Sequence, residues 1–419
     1  MRFTQKLTIA GLVSGTALLA LTSTSFSTEL TFWHHTYPPA RDFIEKKAAE
    51  FTKLHPDITI NLHDDPHGDY EVKLLAAIAA GNPPDIVNVL DYLFPLYAGR
   101  NILAEVDNAA FGVDSTEALN ELYQPQALSG LTINGKVYGV PEEFNTLALF
   151  INKAHLEEAG LDAEADAPKT WEELFALAEK LTTEDGSRLG FNWVWNLDPY
   201  WYAQQYWPIL KQYGCDVIGE DGKAAINSDA CVAAFTETWK VLIDKKIGGP
   251  SMATVNPVNA LQDFSEGRQS MAIAGIWAPP LFSDAVKEQY VVAPLPQLDP
   301  ENPATLLNSY ALAVTAGSKN KKEAFEFLNF LTSDSDGYLE ATGYVTGRKG
   351  WNETEAAKNT RGAQVFAEGQ KHGSFVWRSE TWTQEGNAIK SAIEQFAQGV
   401  PVKEALDQAA SQIDSVRNR

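Results

Sequence analysis

Cysteine is almost missing from this chain: two residues among 419, Cys215 and Cys231. Two thiols cannot fill a four-ligand structural zinc site alone, and their spacing is not that of a Cys-x-x-Cys redox motif. Long apolar runs are missing too. Beyond the N-terminus no stretch reaches the roughly 18 apolar residues that a membrane-spanning helix needs. Basic residues are scarce, 33 Lys and Arg against 55 Asp and Glu, for a net charge of −22. Such acidity repels nucleic acid and anionic lipid, so neither is an expected partner. There is no Gly-x-x-x-x-Gly-Lys phosphate loop, no Gly-x-Gly-x-x-Gly, no His-Glu-x-x-His and no Gly-x-Ser-x-Gly. The common signatures of nucleotide, metalloprotease and serine-hydrolase chemistry are therefore absent. Internal repeats, low-complexity tracts, charge blocks and Gly/Ser linkers are absent as well.

What is present begins with an export signal over residues 1–27. Arg2 and Lys6 supply a positive start, Leu7 to Leu21 is an apolar run broken by Gly, Ser and Thr, and Ser25-Phe26-Ser27 puts small residues where a signal peptidase reads. The run is too short and too interrupted to span a bilayer. No cysteine lies near the cut, which argues against a lipid anchor. The mature protein is expected to be soluble, and periplasmic in a Gram-negative host. Removing the signal takes away two cations and moves the net charge from −22 to −24. In an oxidising compartment Cys215 and Cys231 are expected to bond. The short loop they close would add roughly 3 kcal/mol; two unpaired thiols are the alternative.

The mature length is too great for one ordinary core, so two lobes are expected. Leu30 to Trp33 reads as a buried strand, and Ile44, Ala48 and Phe51 share a helical face. Ile58 to Leu62 alternates as a strand does. Val72, Leu75, Ala76 and Ala79 form a second helical stripe, ended by Gly81, Pro83 and Pro84. Asp85 to Leu90 is then a third strand. This β-α-β-α-β opening predicts a mainly parallel sheet with helices on both faces. Thr170 and Glu173 form a capping box for a helix along Leu174, Leu177, Ala178 and Leu181. Asn320 with Glu323 offers a similar start, and Gly399-Val400-Pro401 separates two further helices. Two lobes without a linker predict that the chain crosses between them more than once, with ligand held outside the C-terminal ends of strands.

Aromatic residues are the most telling chemical feature. Trp193, Trp195, Tyr200, Trp201, Tyr202, Tyr206 and Trp207 lie close together, and Trp277, Trp351, Trp377 and Trp382 follow. Indole rings suit the C–H faces of a pyranose, and planar charged or amide groups suit its hydroxyl rim. Most of these aromatics are expected in the core. Trp277, in a Gly/Pro-rich loop after an apolar strand, is the one expected at an exposed strand end. His63 and His67 flank two aspartates, but Pro66 breaks any helix that would align them on a metal, and a solvated turn is the better reading.

Several segments carry a resemblance. They are Ala79-Ala80-Gly81-Asn82-Pro83-Pro84-Asp85, Tyr138-Gly139-Val140-Pro141, Thr170-Trp171-Glu172-Glu173-Leu174, Gly267-Arg268-Gln269-Ser270-Met271-Ala272-Ile273-Ala274-Gly275 and Lys322-Glu323-Ala324-Phe325-Glu326-Phe327-Leu328. In this order they resemble the carbohydrate-binding type II periplasmic binding proteins of bacterial ABC importers, relatives of maltose-binding protein, from residue 30 to about residue 410. The resemblance implies an α/β fold of two lobes, each a mainly parallel sheet flanked by helices, with the ligand cleft between them. It implies lobes of residues 28–141 with 307–332, and 142–306 with 333–419. Three crossings would lie near Pro141 to Phe144, Thr305 to Asn308 and Leu331 to Asp336.

The resemblance also implies a ligand set: His34, His35, Thr36, Asp65, Asp91, Glu143, Asn145, Trp195, Tyr200, Gly275, Trp277, Arg348 and Trp382. Thr346 stands where relatives have proline before the arginine, and His34-His35 is not a general family feature. The implied role is a monomeric, cofactor-free binder, not an enzyme. It would hand a small sugar, glycoside or polyol to the permease subunits of an ABC transporter and their ATPase. A secreted glycoside hydrolase, with Asp91 paired to Asp64 or Glu143, is the rival, since hydrolysis also needs two carboxylates across a sugar. A metal or polyamine receptor is a rival within binding.

Overall fold

The computed structural model describes residues 28–195, 198–245, 247 and 260–418; the export signal expected at 1–27 lies outside them. The chain opens with β1 (Thr28–His35), α1 (Pro38–Leu54), β2 (Ile58–Asp65), α2 (His67–Ala79) and β3 (Ile86–Leu90), the order expected. Pro38 and Pro39 pre-set the first turn of α1, and Ala40, Phe43, Ile44, Ala48 and Phe51 turn its apolar stripe inward. The remaining framework is β4 (Val140–Asn145), β5 (Ala148–Asn152), α3 (Trp171–Leu181), β6 (Leu189–Phe191), α4 (Pro199–Gln212), α5 (Asp229–Glu237), β7 (Gln269–Ala274), β8 (Tyr290–Pro294), β9 (Asn308–Val314), α6 (Lys321–Ser333), α7 (Ser335–Thr342), α8 (Trp382–Ala397) and α9 (Val402–Arg417).

Two sheets form the centres of two lobes. The first is five-stranded, in the order β2-β1-β3-β9-β4, and the second four-stranded, in the order β8-β5-β7-β6. β1 is parallel to β2 and β3, but β9 is antiparallel to both β3 and β4. In the second sheet only β6 and β7 are parallel. Both sheets are thus mixed, a correction to the mainly parallel expectation. Crossover helices force parallel pairing only between strands they join directly. β9 and β5 are delivered across the lobe boundary and carry no such constraint.

β4 stays in the first sheet as far as Asn145, which pairs with Asn308, and β5 starts the second sheet at Ala148. The chain therefore leaves the first sheet after the boundary expected at Pro141, because residues 140–145 bond to β9. β9 re-enters beside it from Asn308, so two crossings run on neighbouring strands. The capping box of α3 is present: Glu173 N–H donates to Thr170 Oγ1 (3.2 Å), and Thr170 N–H donates to Glu173 Oε2 (3.2 Å). Asn320 differs from expectation. It precedes α6 without a side-chain cap, and its own N–H donates to Ser318 Oγ (3.1 Å). Cys215 and Cys231 form a disulfide with Cα atoms 5.1 Å apart, joining the end of α4 to the first turn of α5.

Candidate ligand-binding cleft

The first lobe brings the ends of its strands to one edge. His34 and His35 close β1, Asp91 follows β3, Glu143 and Asn145 end β4, and Asn308 and Tyr310 begin β9. The pairing Tyr310↔Leu90, Tyr310↔Glu143 and Asn308↔Asn145 sets these side by side. Opposite them the second lobe presents Tyr200 at the start of α4, Trp277 beyond β7, and Trp382 at the start of α8. Asp198 caps α4 by accepting from Tyr200 N–H and Trp201 N–H, and Pro199 fixes its first turn, which holds Tyr200 in place.

Behind the edge lies a closed polar network. His34 Nε2 meets Glu142 (2.9 Å) and its Nδ1 meets the His35 carbonyl, so both ring nitrogens are engaged. Asn88 Nδ2 (2.6 Å) and Tyr338 Oη (3.0 Å) donate to the same carboxylate. Asn88 Oδ1 in turn accepts from His35 Nδ1 (2.6 Å), and the His35 ring stacks on Tyr310 at 4.2 Å. Glu142 is fully buried and fully bonded. It therefore braces the two histidines and is not left for a ligand.

In front of this network the bonding is incomplete. Among the described residues, Asp91 Oδ2, Glu143 Oε1, Asn145 Nδ2, Tyr200 Oη, Asn308 Oδ1 and Trp382 Nε1 are buried without a hydrogen-bond partner. Asn145 leans toward Glu143, and Asn308 toward Tyr200, without closing a bond. Leaving one such group unsatisfied costs about 1–3 kcal/mol. A group of them at one place calls for a functional reason. Burial pushes the Glu143 carboxyl up to about 8, helped by the charges of Glu142 and Asp91. Burial also lifts Asp91 to about 6, opposed by Arg378 and by the Ser309 N–H that donates to Asp91 Oδ1 (3.2 Å).

The walls are aromatic. Tyr92 lies 4.9 Å from Tyr200 and 4.0 Å from Trp382, and Trp201 meets Trp277 edge-on at 6.0 Å. Gly275 is needed here: a Cβ at that position would collide with Asn145 Nδ2 and with the Trp277 indole. A cavity of about 150 Å³ opens in the seam between lobes, lined by Tyr70, Asn88, Tyr92 and Tyr310 on one side and Asp198, Pro199 and Thr383 on the other. A larger hollow of about 1030 Å³ lies on the second lobe, by Tyr290, Val292 and Arg361. None of the unpartnered buried atoms lines either cavity, but the smaller one adjoins them through Leu90, Tyr92, Pro199 and Tyr310, whereas the larger lies away from the strand ends.

The expected residues divide accordingly. His34, His35, Asp91, Glu143, Asn145, Tyr200, Gly275, Trp277 and Trp382 gather at the cleft. Thr36 is exposed and donates to Asp64 Oδ2 (3.2 Å), while Asp65 is held by Lys73 and by His63. Trp195 is buried in the second lobe, 5.2 Å from Trp239, with its N–H on Asn192 Oδ1 (3.0 Å). Arg348 donates to Asn329 Oδ1 (2.9 Å) and Thr332 Oγ1 (3.2 Å) on α6 and covers Tyr123 at 4.5 Å. Sequence reasoning missed Asn308, Tyr310, Tyr92 and Arg378. Asn308 stood at an expected crossing; the others carried no local signal. Arg378 donates from the second lobe to the carbonyls of Asp91 (2.7 Å) and Ser129 (3.3 Å) on the first.

Two α/β lobes with an interlobe cleft of unbonded polar groups define a type II periplasmic binding protein fold, with a site arranged for capture. The chain belongs to the bacterial extracellular solute-binding proteins, whose family model matches residues 37–338. This is a family of binding proteins, not enzymes. A lactose-binding protein of Rhizobium radiobacter is 25% identical, over 97% of this chain and 98% of its own. A galactooligosaccharide-binding protein of Bacillus subtilis is 25% identical, over 93% of this chain and 89% of its own. An ABC substrate-binding protein of Listeria monocytogenes in complex with cycloalternan has a similar structure, with TM-score 0.80 and 21% identity over 94% of this chain and 99% of that one. Among the described residues no helix is long and apolar enough to cross a membrane.

Proposed function

We propose that this protein captures a small sugar, glycoside or polyol in the interlobe cleft and delivers it to the permease of an ABC importer. It would act as a monomer outside the cytoplasmic membrane. The observation that carries the reading is the set of buried, unbonded donors and acceptors at the strand ends, walled by Tyr92, Tyr200, Trp277 and Trp382. Such a mixture suits a compound with hydroxyls on its rim and C–H surfaces on its faces. We assign ligand contacts to His35, Asp91, Glu143, Asn145, Tyr200, Trp277 and Trp382, with His34 and Gly275 as positioning residues. The carbohydrate-binding relatives support the ligand class, and no observation favours the hydrolase alternative.

The test is a thermal-unfolding screen of the purified protein against neutral mono- and disaccharides and polyols. A ligand present at a hundred times its dissociation constant should stabilise the protein by about 2.7 kcal/mol. Calorimetric titration of the best hit should saturate, and chromatography should recover it intact. Hydrolysis of the bound compound, or no stabilisation by any of them, would refute the reading.

A further inference from the structure

We propose that Glu143 meets the ligand as a neutral carboxylic acid and that the site thereby selects an uncharged polyhydroxyl compound over its carboxylated or phosphorylated analogue. This rests on the cleft being the binding site. Glu143 is 3% exposed, its Oε1 has no hydrogen-bond partner, and it stands beside Asp91, whose Oδ2 accepts no hydrogen bond and has only Arg378 Nη1 at 4.0 Å. Among the described residues, the basic groups of the surrounding elements already hold partners. The two His34 ring nitrogens are taken by Glu142 and the His35 carbonyl. Arg378 donates to the carbonyls of Asp91 and Ser129 and lies 4.0 Å from Asp91 Oδ2. Arg348 is bound through Nη2 to Asn329 and Thr332 on α6 and lies over Tyr123, with its Nε unbonded. A ligand carboxylate or phosphate brought here would face two buried acids, Glu143 and Asp91, with Arg378 already paired to Asp91, an expensive arrangement in a low-dielectric site.

The groups facing Glu143 fix how it titrates. Glu142 adjoins it on β4, Asp91 follows β3, and His34 and His35 end β1. Tyr37, Tyr200, Tyr310 and Tyr344 all sense its charge, and burial pushes each of these hydroxyls up, so they stay neutral. Burial and the charges of Glu142 and Asp91 push Glu143 up to about 8, while Arg378 and the Ser309 N–H hold Asp91 to about 6, so Glu143 is the carboxyl of the pair that keeps a proton at neutral pH. The acid thus offers a ligand hydroxyl both a donor and an acceptor, while Asp91 offers acceptors only. The sign follows from the direction. A carboxyl raised from 4.5 to about 8 keeps its proton in the folded protein through neutral pH. What the neutral acid contributes is complete below the ordinary value and is lost as pH rises through about 8.

The experiment is calorimetric titration of purified protein at pH 7 and pH 9, where Asp91 is ionised throughout and Glu143 changes state. The probes are galactose, lactose, maltose and glycerol, with galacturonate and glycerol 3-phosphate as the anions. The neutral compound that binds should bind about tenfold more weakly at pH 9, one unit beyond the Glu143 transition. Glu143→Gln, which keeps a donor and an acceptor but cannot ionise, should show the same affinity at both pH values. Neither anion should bind within a hundredfold of the neutral compound. The proposal is overturned if wild-type affinity is equal at the two pH values, if Glu143→Gln keeps the tenfold loss, or if an anion binds as well as the neutral probe. The wild-type profile and the anion comparison decide should the variant not fold. If no probe binds at either pH, the cleft reading itself fails, an outcome distinct from binding without pH dependence.

Discussion

Trp277 and Asn145 share the space above Gly275, and each owes its position to the missing side chain there. Asn145 Oδ1 accepts from Ile276 N–H (3.4 Å), leaving Nδ2 unbonded, and the Trp277 carbonyl accepts from Tyr37 Oη (3.2 Å) of the other lobe. Trp277 is half-buried, so its truncation costs less core packing than that of a buried tryptophan would. We expect Trp277→Ala to weaken binding of the best neutral hit by at least about tenfold, roughly 1.4 kcal/mol, with a small change in unfolding temperature. Unchanged affinity by calorimetry would remove Trp277 from the site. Gly275→Ala should weaken binding at least as much, since it displaces both the amide and the indole while deleting neither.

At the scale of elements, α4 joins chemistry to stability. Its first turn carries Tyr200, and its last is tied through Cys215–Cys231 to the capped start of α5. Replacing both cysteines by serine should lower the stability of the second lobe by about 3 kcal/mol, the loop-closure value for so short a ring. Urea unfolding followed by tryptophan fluorescence measures it. An unchanged midpoint and slope would mean that packing alone holds the two helices. The elements were the legible part of the sequence because their signals are local. The Thr170 capping box, the Gly81 to Pro84 stop and the alternation in β2 depend on neighbours a few residues away. Trp277 was legible for the same reason, by following β7 in a Gly/Pro-rich loop, whereas Asp91 was pointed to only by the family resemblance. Trp195 and Arg348 carried the right chemistry, but their partners, Trp239 and α6, come from distant segments that no spacing reveals. Arg378 was silent for that reason too, as was the mixed character of the sheets, which is set by strands arriving across the lobe boundary.

At the scale of the molecule, the lobes touch through protein as well as through any ligand. Arg378 spans the seam to the Asp91 and Ser129 carbonyls, and Tyr37 spans it to the Trp277 carbonyl (3.2 Å). β4 and β9 are adjacent and both lead out of the first sheet, which makes them the natural hinge. Closure is then an equilibrium biased by these contacts before ligand arrives, and ligand shifts it further only by its differential affinity for the closed form. A hydrogen bond involving a charged group contributes about 1.5–3 kcal/mol. Arg378→Ala, which removes two across the seam, should therefore favour the open form and weaken apparent binding by tenfold or more. Because Arg378 also lies beside Asp91, affinity alone would not separate a lost latch from a damaged site. Small-angle scattering does. The ligand-free variant should have a larger radius of gyration than ligand-free wild type, and saturating ligand should bring both to one value. Equal radii without ligand would mean that Arg378 acts on the site alone and that closure depends on the ligand and Tyr37.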